Sequence, residues 1–495
     1  MLYKSTRNNE NLVTSSSAIL QGLAEDGGLF VPTSLPEYEL DWNILKNYSY
    51  QEMAYFVLRP YLADFSEAQL KDCIQKAYDD KFDDPAIAPL VEVNGHHHLE
   101  LFHGATIAFK DLALSILPHL MKTASTIQKN DRDIVILTAT SGDTGKAAMA
   151  GFADVENTKI IVFYPKGGVS SIQEQQMVTQ TGDNTYAIAV NGNFDKAQSK
   201  VKELFSDTQL RAELADANQQ FSSANSMNIG RLLPQIVYYF YAYAQMVRKE
   251  AICPGDLIDF SVPTGNFGNI LSGFYAKQTG LPIDKLLCAS NDNRVLYDFF
   301  HSGTYDANRE FQLTISPSMD ILISSNFERL VYHAVNENTE HLTNFMDDLK
   351  TKSAYAVPEK YQSNFSPFLA EFATEAETKE EIQAVYTATQ YVMDPHTAVA
   401  SKAVRKAMKK GLFHHPVVIV STASPYKFPE AVLSALGKDT STYSDADLLE
   451  QLHTVSGTPF PPAIEGLLEA KVRHNTVIEI DEMKELIQKV TTRTV

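Results

Sequence analysis

Lys110 is the residue whose surroundings most clearly favour chemistry. It follows Ala108 and Phe109, and residues 112–114 after it are also apolar. A free lysine amine is mostly protonated at neutral pH, and apolar surroundings disfavour the ammonium and release the neutral nucleophile. Such an amine can form a Schiff base with an aldehyde. Taken alone, the segment favours a simpler interpretation, a helix start whose lysine stem covers core surface while its amine reaches water.

A loop at residues 263–269 (PTGNFGN) has the composition of an anion cradle. It follows an apolar run and precedes a helical pattern. Gly265 and Gly268 let the backbone approach an anion, and a helix N-terminus directs N–H groups at it. The loop is not GxGxxG, and it lacks the Lys-Ser/Thr ending of a nucleotide P-loop. The pattern indicates a phosphate site, and an ordinary strand-to-helix turn is the alternative.

A second loop, residues 138–146, also follows an apolar run and opens a helical pattern. Its hydroxyl and carboxyl groups at Ser141, Asp143 and Thr144 stand among backbone amides that can hold a carboxylate or a phosphate. Asp143 taken singly is better interpreted as a cap that satisfies turn amides. The sequence leaves both interpretations open.

A third polar run, residues 223–231, precedes a long apolar stretch. Asn225, Ser226, Asn228 and Arg231 together can form a planar fork for an anion. A capped helix start with a surface arginine explains the same residues equally well.

The last apolar run, residues 417–420, is followed by STASPYKF at 421–428. Thr422 therefore lies near the carboxyl end of a predicted strand, where ligands gather in parallel sheets. The turn DPHTA at 394–398 opens another helical pattern. Three consecutive histidines at 96–98 cannot share one face of a strand or helix, so we predict no metal site there.

Composition excludes several classes of partner. The chain has 495 residues, 44% hydrophobic content and a formal net charge of −19. Nucleic acids and anionic membranes need a positive face, so neither is expected as a partner. Three cysteines without CxxC spacing predict a reduced, cytosolic compartment. The longest apolar stretch, 232–246, is shorter than the roughly 20 residues that span a bilayer and is typical of a buried helix.

The elements that position these loops alternate along the chain. Strands are predicted at 134–137, 160–163, 186–190, 257–262 and 417–420, with helical patterns between them. This alternation predicts parallel sheets with helices on both faces. Residues 1–88 are mixed and largely helical, with helices at 51–62 and 66–77. Residues 333–385 are acidic and predict a solvated helical insertion.

Seven ordered segments resemble the threonine synthase family, pyridoxal 5′-phosphate (PLP) enzymes of fold type II. The segments are YKSTR at 3–7, HGATIAFKD at 103–111, SGDTG at 141–145, SANSMNIGR at 223–231, PTGNFGN at 263–269, DPHTA at 394–398 and STASPYKF at 421–428. The resemblance spans residue 3 to about 430. PTGNFGN combined with the FKD lysine is specific, whereas any one segment is weak.

The resemblance implies an α/β fold with a large parallel-sheet domain, a smaller βα domain and an N-terminal helical extension. We expect an N-terminal domain at 1–88 and a small mobile domain at 126–229. The large PLP-binding domain is expected at 89–125 and 230–495, with the helical insertion at about 333–385.

The resemblance also assigns roles to residues. It implies that Lys110 carries PLP covalently. It implies that the cofactor is held by Lys110, Gly265, Asn266, Phe267, Gly268, Asn269 and, near the pyridine nitrogen, Thr422. It implies that substrate anions are bound by Ser141, Asp143, Thr144, Asn225, Ser226, Asn228, Arg231 and Lys427. No metal is implied.

The implied reaction converts O-phospho-L-homoserine and water to L-threonine and phosphate, with Lys110 as covalent anchor and acid/base. The implied protein is cytoplasmic and a monomer or homodimer. Four positions depart from the family pattern: Ala105 stands for Pro, Ile229 for Trp, Ser424 for His and Tyr426 for Ala. A PLP phospho-lyase or amino-acid dehydratase therefore stays open as an alternative, as do a non-catalytic binding protein and a nucleotide-binding hydrolase.

Overall fold

The computed structural model describes residues 1–140, 142–192 and 194–492. The N-terminal segment contains β1 (Leu2–Ser5), β2 (Val13–Thr14), α1 (Ser15–Gln21), β3 (Phe30–Pro32), α2 (Trp42–Leu45), α3 (Tyr50–Leu58) and α4 (Glu67–Ala77). The capping box at the start of α4 joins the side chains and backbones of Ser66 and Gln69. The segment is more than a helical extension, because β1–β3 form a small antiparallel sheet.

The next elements contribute two strands to a six-stranded sheet and four strands to a five-stranded sheet. These elements are β4 (Leu90–Val93), β5 (His96–Glu100), α5 (Asp111–Leu114), α6 (Leu117–Ile127), β6 (Asp133–Ala139), α7 (Asp143–Phe152), β7 (Thr158–Pro165), α8 (Ser171–Val178), β8 (Thr185–Asn191), α9 (Phe194–Ser206), α10 (Thr208–Asp216) and β9 (Gln219–Ser222).

The remaining elements return to the first sheet and finish on the second. They are α11 (Ile229–Arg248), β10 (Ile258–Pro263), α12 (Gly268–Gln278), β11 (Ile283–Ser290), α13 (Val295–Ser302), β12 (Thr304–Asp306), α14 (Phe327–Ala334), α15 (Thr339–Lys352), β13 (Ala354–Ala356), α16 (Glu359–Gln362), β14 (Phe368–Phe372), α17 (Glu375–Thr389), α18 (Pro395–Lys409), β15 (Val417–Ser421), α19 (Pro429–Ala435), α20 (Asp445–Ser456), β16 (Thr476–Glu479) and α21 (Met483–Thr492). Short 3₁₀ turns lie at Pro317–Met319, Ser363–Phe365, Pro425–Lys427 and Ile480–Glu482.

Two sheets organise the molecule. The larger has six strands in the order β14-β11-β10-β15-β5-β4, parallel except for the edge pair β4–β5. The smaller has five parallel strands in the order β16-β8-β7-β6-β9. Every residue of β10 is buried, as expected for a central strand covered on both faces. The parallel sheets predicted from the alternation are therefore confirmed.

Helix α11 lies in the core of the molecule. Residues 229–247 of this helix are all buried, which agrees with the buried helix predicted at 232–246. A helix that is apolar on all sides belongs in an interior, where it supports neighbouring elements on every face. In the described part of the chain, no helix is both long and apolar enough for a membrane span.

Two expected boundaries need correction. Strand β16 pairs in parallel with β8, so the C-terminal segment joins the five-stranded sheet and not the large sheet to which residues 230–495 were assigned. Strand β14 lies inside the expected helical insertion 333–385 and pairs with β11 at the edge of the six-stranded sheet. Both strands are short edge strands, which leave little periodicity in a sequence.

Candidate functional site

The carboxyl ends of strands from both sheets lie at one cleft. It has a volume of about 1610 Å³ and is lined by residues at the ends of β6, β7, β10 and β15 and at the start of α11 and α12. Twelve of the predicted site residues line it: Lys110, Asp143, Thr144, Asn225, Ser226, Arg231, Gly265, Asn266, Phe267, Gly268, Asn269 and Thr422. Ser141 lies outside the described residues.

Lys110 stands directly before α5 with its amine facing the cleft. Its Nζ lies 3.3 Å from Asp143 Oδ2 and 3.3 Å from Ser318 Oγ. The loop that carries it is tied to the strand end, because the Phe109 N–H donates to the Thr422 carbonyl at 2.8 Å. Burial lowers the pKa of Lys110, and the nearby Lys427 and Arg231 lower it further against the opposing effect of Asp143. Burial of the amine among these groups therefore favours its neutral form.

Asp143 is a buried ion-pair partner and not a turn cap, so the capping interpretation is wrong. Helix α7 has Gly142 at its cap position, and the N–H groups of Gly142 and Gly145 donate to Thr140 Oγ1 at 3.0 and 2.9 Å and not to Asp143. The Asp143 carboxylate instead lies 3.1 Å from Lys427 Nζ and accepts from Ser318 Oγ at 2.7 Å and Gln173 Nε2 at 2.8 Å. Burial alone would raise the pKa of Asp143, but Lys427 and Lys110 outweigh burial and hold it well below the ordinary value.

The loop at 263–269 forms a cradle of free donors. Phe267 has a left-handed backbone with φ of 64°, and no described side chain caps α12 at this point. The first N–H groups of a helix have no intrahelical acceptor, so those of α12 remain available to a ligand. A Cβ at Gly265 would lie 2.6 Å from the Ser318 carbonyl oxygen, so this close approach requires glycine.

Asn269 adds an oriented side-chain donor to the cradle. Its Oδ1 accepts from the hydroxyls of Tyr238 at 2.7 Å and Tyr239 at 2.8 Å. Its Nδ2 is buried and has no partner among the described residues. The two tyrosines therefore hold the amide so that its NH₂ group is left for a ligand.

Arg231 is a buried donor and not the surface arginine that the alternative required. Its residue exposure is 3%, and its Nη1 donates to the Ala224 carbonyl at 3.0 Å. Its Nε has no partner within the described part of the chain. Burial lowers the pKa of Arg231 to about 10, which leaves it charged at neutral pH. Asn225, Ser226 and Thr144 line the same cleft.

Two predicted ligands do not lie on the cleft wall. Asn228 caps α11, where its Oδ1 accepts from the Gly230 N–H and its Nδ2 donates to the carbonyls of Ile19 and Ser223. Lys427 has a side-chain exposure of 0% and donates to the Thr106 carbonyl at 2.7 Å, behind Asp143. We correct both assignments from substrate contact to support of residues that line the cleft.

The departures at positions 424 and 426 also lie behind the cleft wall. The Ser424 hydroxyl accepts from the Tyr426 N–H and caps the 3₁₀ turn Pro425–Lys427. The Tyr426 hydroxyl donates to the Thr458 carbonyl at 2.9 Å, away from Lys110. Neither residue is among those that line the cleft.

Sequence reasoning missed two residues that line the cleft, Ser318 and His396. Ser318 lies in the irregular segment between β12 and α14, where no pattern marks it. His396 stands at the start of α18, after the cap Asp394. An Asp-Pro helix start near the carboxyl edge of a parallel sheet is a usable signal for His396. Within the described residues no cluster of three or more His, Cys, Asp or Glu could hold a metal ion.

Two family models match the ends of the chain: "Threonine synthase N terminus" at residues 2–78 and "Threonine synthase, C-terminal" at residues 397–487. The threonine synthase of Schizosaccharomyces pombe is 35% identical over 528 residues, which cover 99% of this chain and 98% of the relative. This chain belongs to the threonine synthase family. The threonine synthase of Pseudomonas aeruginosa is 38% identical and is matched over 88% of this chain and 90% of its own length.

Solved structures of the family share the fold. A PLP-bound threonine synthase from Brucella melitensis superposes with a TM-score of 0.88 at 35% identity, covering 100% of both chains. Yeast threonine synthase also has a TM-score of 0.88, at 34% identity over 99% of this chain and 98% of that one. The predicted family and the fold-type II α/β class are confirmed. "Threonine synthase-like 1" from Homo sapiens is 38% identical over 92% of this chain, which spans 62% of that longer relative.

Proposed function

We propose that this chain is a PLP-dependent threonine synthase that converts O-phospho-L-homoserine and water to L-threonine and phosphate. One observation carries the proposal. The partly buried amine of Lys110 faces the same cleft as the free donors at the start of α12 and the side chain of Arg231, whose Nε has no partner among the described residues. An amine, a phosphate cradle and a second anion donor are what a phosphorylated cofactor and an anionic amino-acid substrate require together.

The residues present fit PLP. Lys110 would hold its aldehyde carbon, the N-terminus of α12 and Asn269 would hold its phosphate, and Thr422 would stand near its ring nitrogen. A neutral hydroxyl there leaves the nitrogen largely unprotonated, which moderates the electron withdrawal. When bound, PLP withdraws electrons from the substrate's α carbon and makes its proton removable.

Lys110 is the acid and base of the site. Burial lowers the pKa of Lys110 and so favours the neutral amine, whose Nζ can take the α proton of the substrate and return it elsewhere on the molecule. Asp143 stays ionised and lies 3.3 Å from Nζ, so it stabilises the ammonium that proton removal creates. Lys427 contributes by balancing the charge of Asp143, whose carboxylate lies 3.1 Å from the Lys427 Nζ.

The substrate's own anions need separate donors. Arg231 lines the cleft and has a buried Nε without a partner among the described residues, and Thr144, Asn225 and Ser226 line the same cleft. We assign these four residues to the carboxylate and phosphate of O-phosphohomoserine. Preorganised donors at a departing phosphate lower the barrier to its loss, because they stabilise the charge that develops there.

The five-stranded sheet would close over bound substrate. We take the small mobile domain as residues 126–229 together with the C-terminal segment that adds β16. Closure would exclude water from the reacting carbon. Small-angle scattering of Lys110→Ala, with and without O-phosphohomoserine, tests this movement. An unchanged radius of gyration at saturating substrate would contradict it.

We also propose that the protein works in the cytoplasm as a monomer or homodimer, without nucleic acid or membrane partners. Cys73 and Cys288 are free and buried, and Cys253 is free and exposed, which suits a reducing compartment. Light scattering of the purified chain measures the oligomeric state, and a mass above that of a dimer would contradict this assignment.

Product analysis tests the proposed activity. The full chain with PLP and O-phosphohomoserine should release threonine and inorganic phosphate in equal amounts, and Lys110→Ala should release neither. Phosphate with 2-oxobutyrate in place of threonine would favour the second candidate, a PLP phospho-lyase, which the Ser424 departure keeps open. Because Ser424 and Tyr426 lie behind the cleft wall, we expect threonine.

A further inference from the structure

Ser318 stands between the two charged groups of the site. It lies on the 3₁₀ turn Pro317–Met319, and its Oγ is 3.3 Å from Lys110 Nζ and 2.7 Å from Asp143 Oδ2. It is far from both in sequence, 208 residues after Lys110 and 175 after Asp143. Its carbonyl oxygen also lies so near Gly265, in the loop at 263–269, that a Cβ there would be 2.6 Å away. One residue therefore contacts the amine, its counter-ion and the phosphate loop.

The directions of these hydrogen bonds follow from the chemistry of the partners. An ionised carboxylate only accepts, so the Ser318 hydroxyl donates to Asp143. The lone pairs of Ser318 Oγ then remain to accept from the Lys110 amine. Asp143 accepts a second N–H of the same amine at 3.3 Å.

His396 and Asp394 hold Ser318 from behind. The Ser318 backbone N–H donates to His396 Nε2 at 3.2 Å, so this nitrogen is an acceptor. His396 Nδ1 lies 2.6 Å from Asp394 Oδ2 and therefore carries the ring proton. Both side chains are buried, and Asp394 also caps α18. The serine is thus fixed through its backbone by an imidazole of defined tautomer.

We propose that Ser318 is a catalytic residue of this site, whose hydroxyl orients the Lys110 amine, and that His396 is the positioning residue that fixes it. This proposal rests on the proposed function. A neutral amine has two N–H groups and one lone pair. Ser318 Oγ and Asp143 Oδ2 lie 2.7 Å apart, so both accept from N–H groups on one side of the amine, and the lone pair points away from them. The nucleophile is then aimed before any ligand arrives, which removes an orientational cost from its reactions.

Rates of Schiff-base formation test this role apart from turnover. Full-length protein freed of cofactor is mixed with PLP, and the second-order rate constant of the visible absorbance change is measured across pH. We expect Ser318→Ala to react about tenfold more slowly or worse, and Ser318→Thr, which keeps a hydroxyl, to react within about threefold of the unmodified protein. His396→Phe should slow the reaction, and His396→Gln, which offers an acceptor oxygen, should restore part of the rate.

Ser316→Ala is the matched control. Its hydroxyl is also buried and hydrogen-bonded in the same segment, to Asn291 Nδ2 at 2.9 Å, but it does not contact Lys110. It should react at the unmodified rate. Equal rates for Ser318→Ala and the unmodified protein would overturn the proposal, and so would an equal slowing by Ser316→Ala. If the unmodified protein itself gives no absorbance change with PLP, the proposed function fails instead.

Discussion

Replacing Asn269 with alanine tests the phosphate cradle at a single donor. The side-chain Nδ2 is buried without a described partner, and its orientation is set by Tyr238 and Tyr239. A hydrogen bond to a charged group contributes about 1.5–3 kcal/mol. Because 1.4 kcal/mol corresponds to a factor of ten, Asn269→Ala should weaken PLP binding by about 10- to 150-fold.

The same substitution should cost little folding stability. Tyr238 keeps an acceptor in Gln235 Oε1 at 3.2 Å, and Tyr239 keeps the Asn269 backbone carbonyl at 3.0 Å. We therefore expect the free energy of unfolding to fall by only about 1 kcal/mol. A loss of affinity in Asn269→Ala would then report a missing ligand contact and not a disordered site.

The assay compares two ligands on protein freed of cofactor. PLP and pyridoxal, which lacks the phosphate, are each titrated into the unmodified chain and into Asn269→Ala, with absorbance or fluorescence as the signal. Only PLP should lose affinity. If PLP affinity changes by less than about threefold, or if pyridoxal loses as much as PLP, Asn269 does not bind the phosphate and the cradle assignment is refuted.

Two further predictions concern charge. Asp143→Asn should lower the free energy of unfolding by about 3–5 kcal/mol in urea titrations, since it leaves buried lysines without their carboxylate. It should also move the pH profile of PLP attachment to lower pH, because Asp143 raises the pKa of Lys110; an unmoved profile would contradict the pairing. Burial lowers the pKa of His103, but the hydrogen bonds that its ring donates to Asp83 and Glu100 outweigh burial and raise it to about 9. Its stabilisation is then complete below pH 6.5 and lost as the pH rises through about 9, so His103→Gln should cost on the order of 3 kcal/mol at pH 6 and far less at pH 10.

Local patterns in the sequence indicated the parts of the site that are continuous in the chain. Lys110 and the loop at 263–269 each stand at the start of a helix, but each pattern alone also fits a simpler interpretation, and the family resemblance decided between them. Strands β6, β7, β8 and β15 were predicted from apolar runs, and β10 was predicted from residues 257–262, although Asp259 and Ser261 interrupt that run. Expected boundaries failed at β14 and β16, because short edge strands are partly exposed and carry no clear alternation.

Residues whose role depends on distant partners were beyond sequence reasoning. Asp143 has the sequence context of a helix cap, and only the folded chain brings Lys427 to 3.1 Å from its carboxylate. Lys427 carries a charge that suits an anion ligand, but it is buried next to Asp143 and serves as the counter-ion of that carboxylate. No local pattern in the sequence marks Ser318. Its contacts exist only because the folded chain brings its turn next to Lys110, which is 208 residues away in sequence.

Identification of the modified lysine tests the central claim, that Lys110 carries the cofactor. Borohydride reduction of the PLP-loaded protein fixes the cofactor on the amine that holds it, and peptide mass spectrometry locates it. Two other buried lysines serve as internal controls: Lys427 lies 3.1 Å from Asp143, and burial lowers the pKa of Lys146 to about 8. We expect the reduced adduct on Lys110 alone. An adduct on Lys427 or Lys146, with Lys110 unmodified, would contradict the site described for this protein.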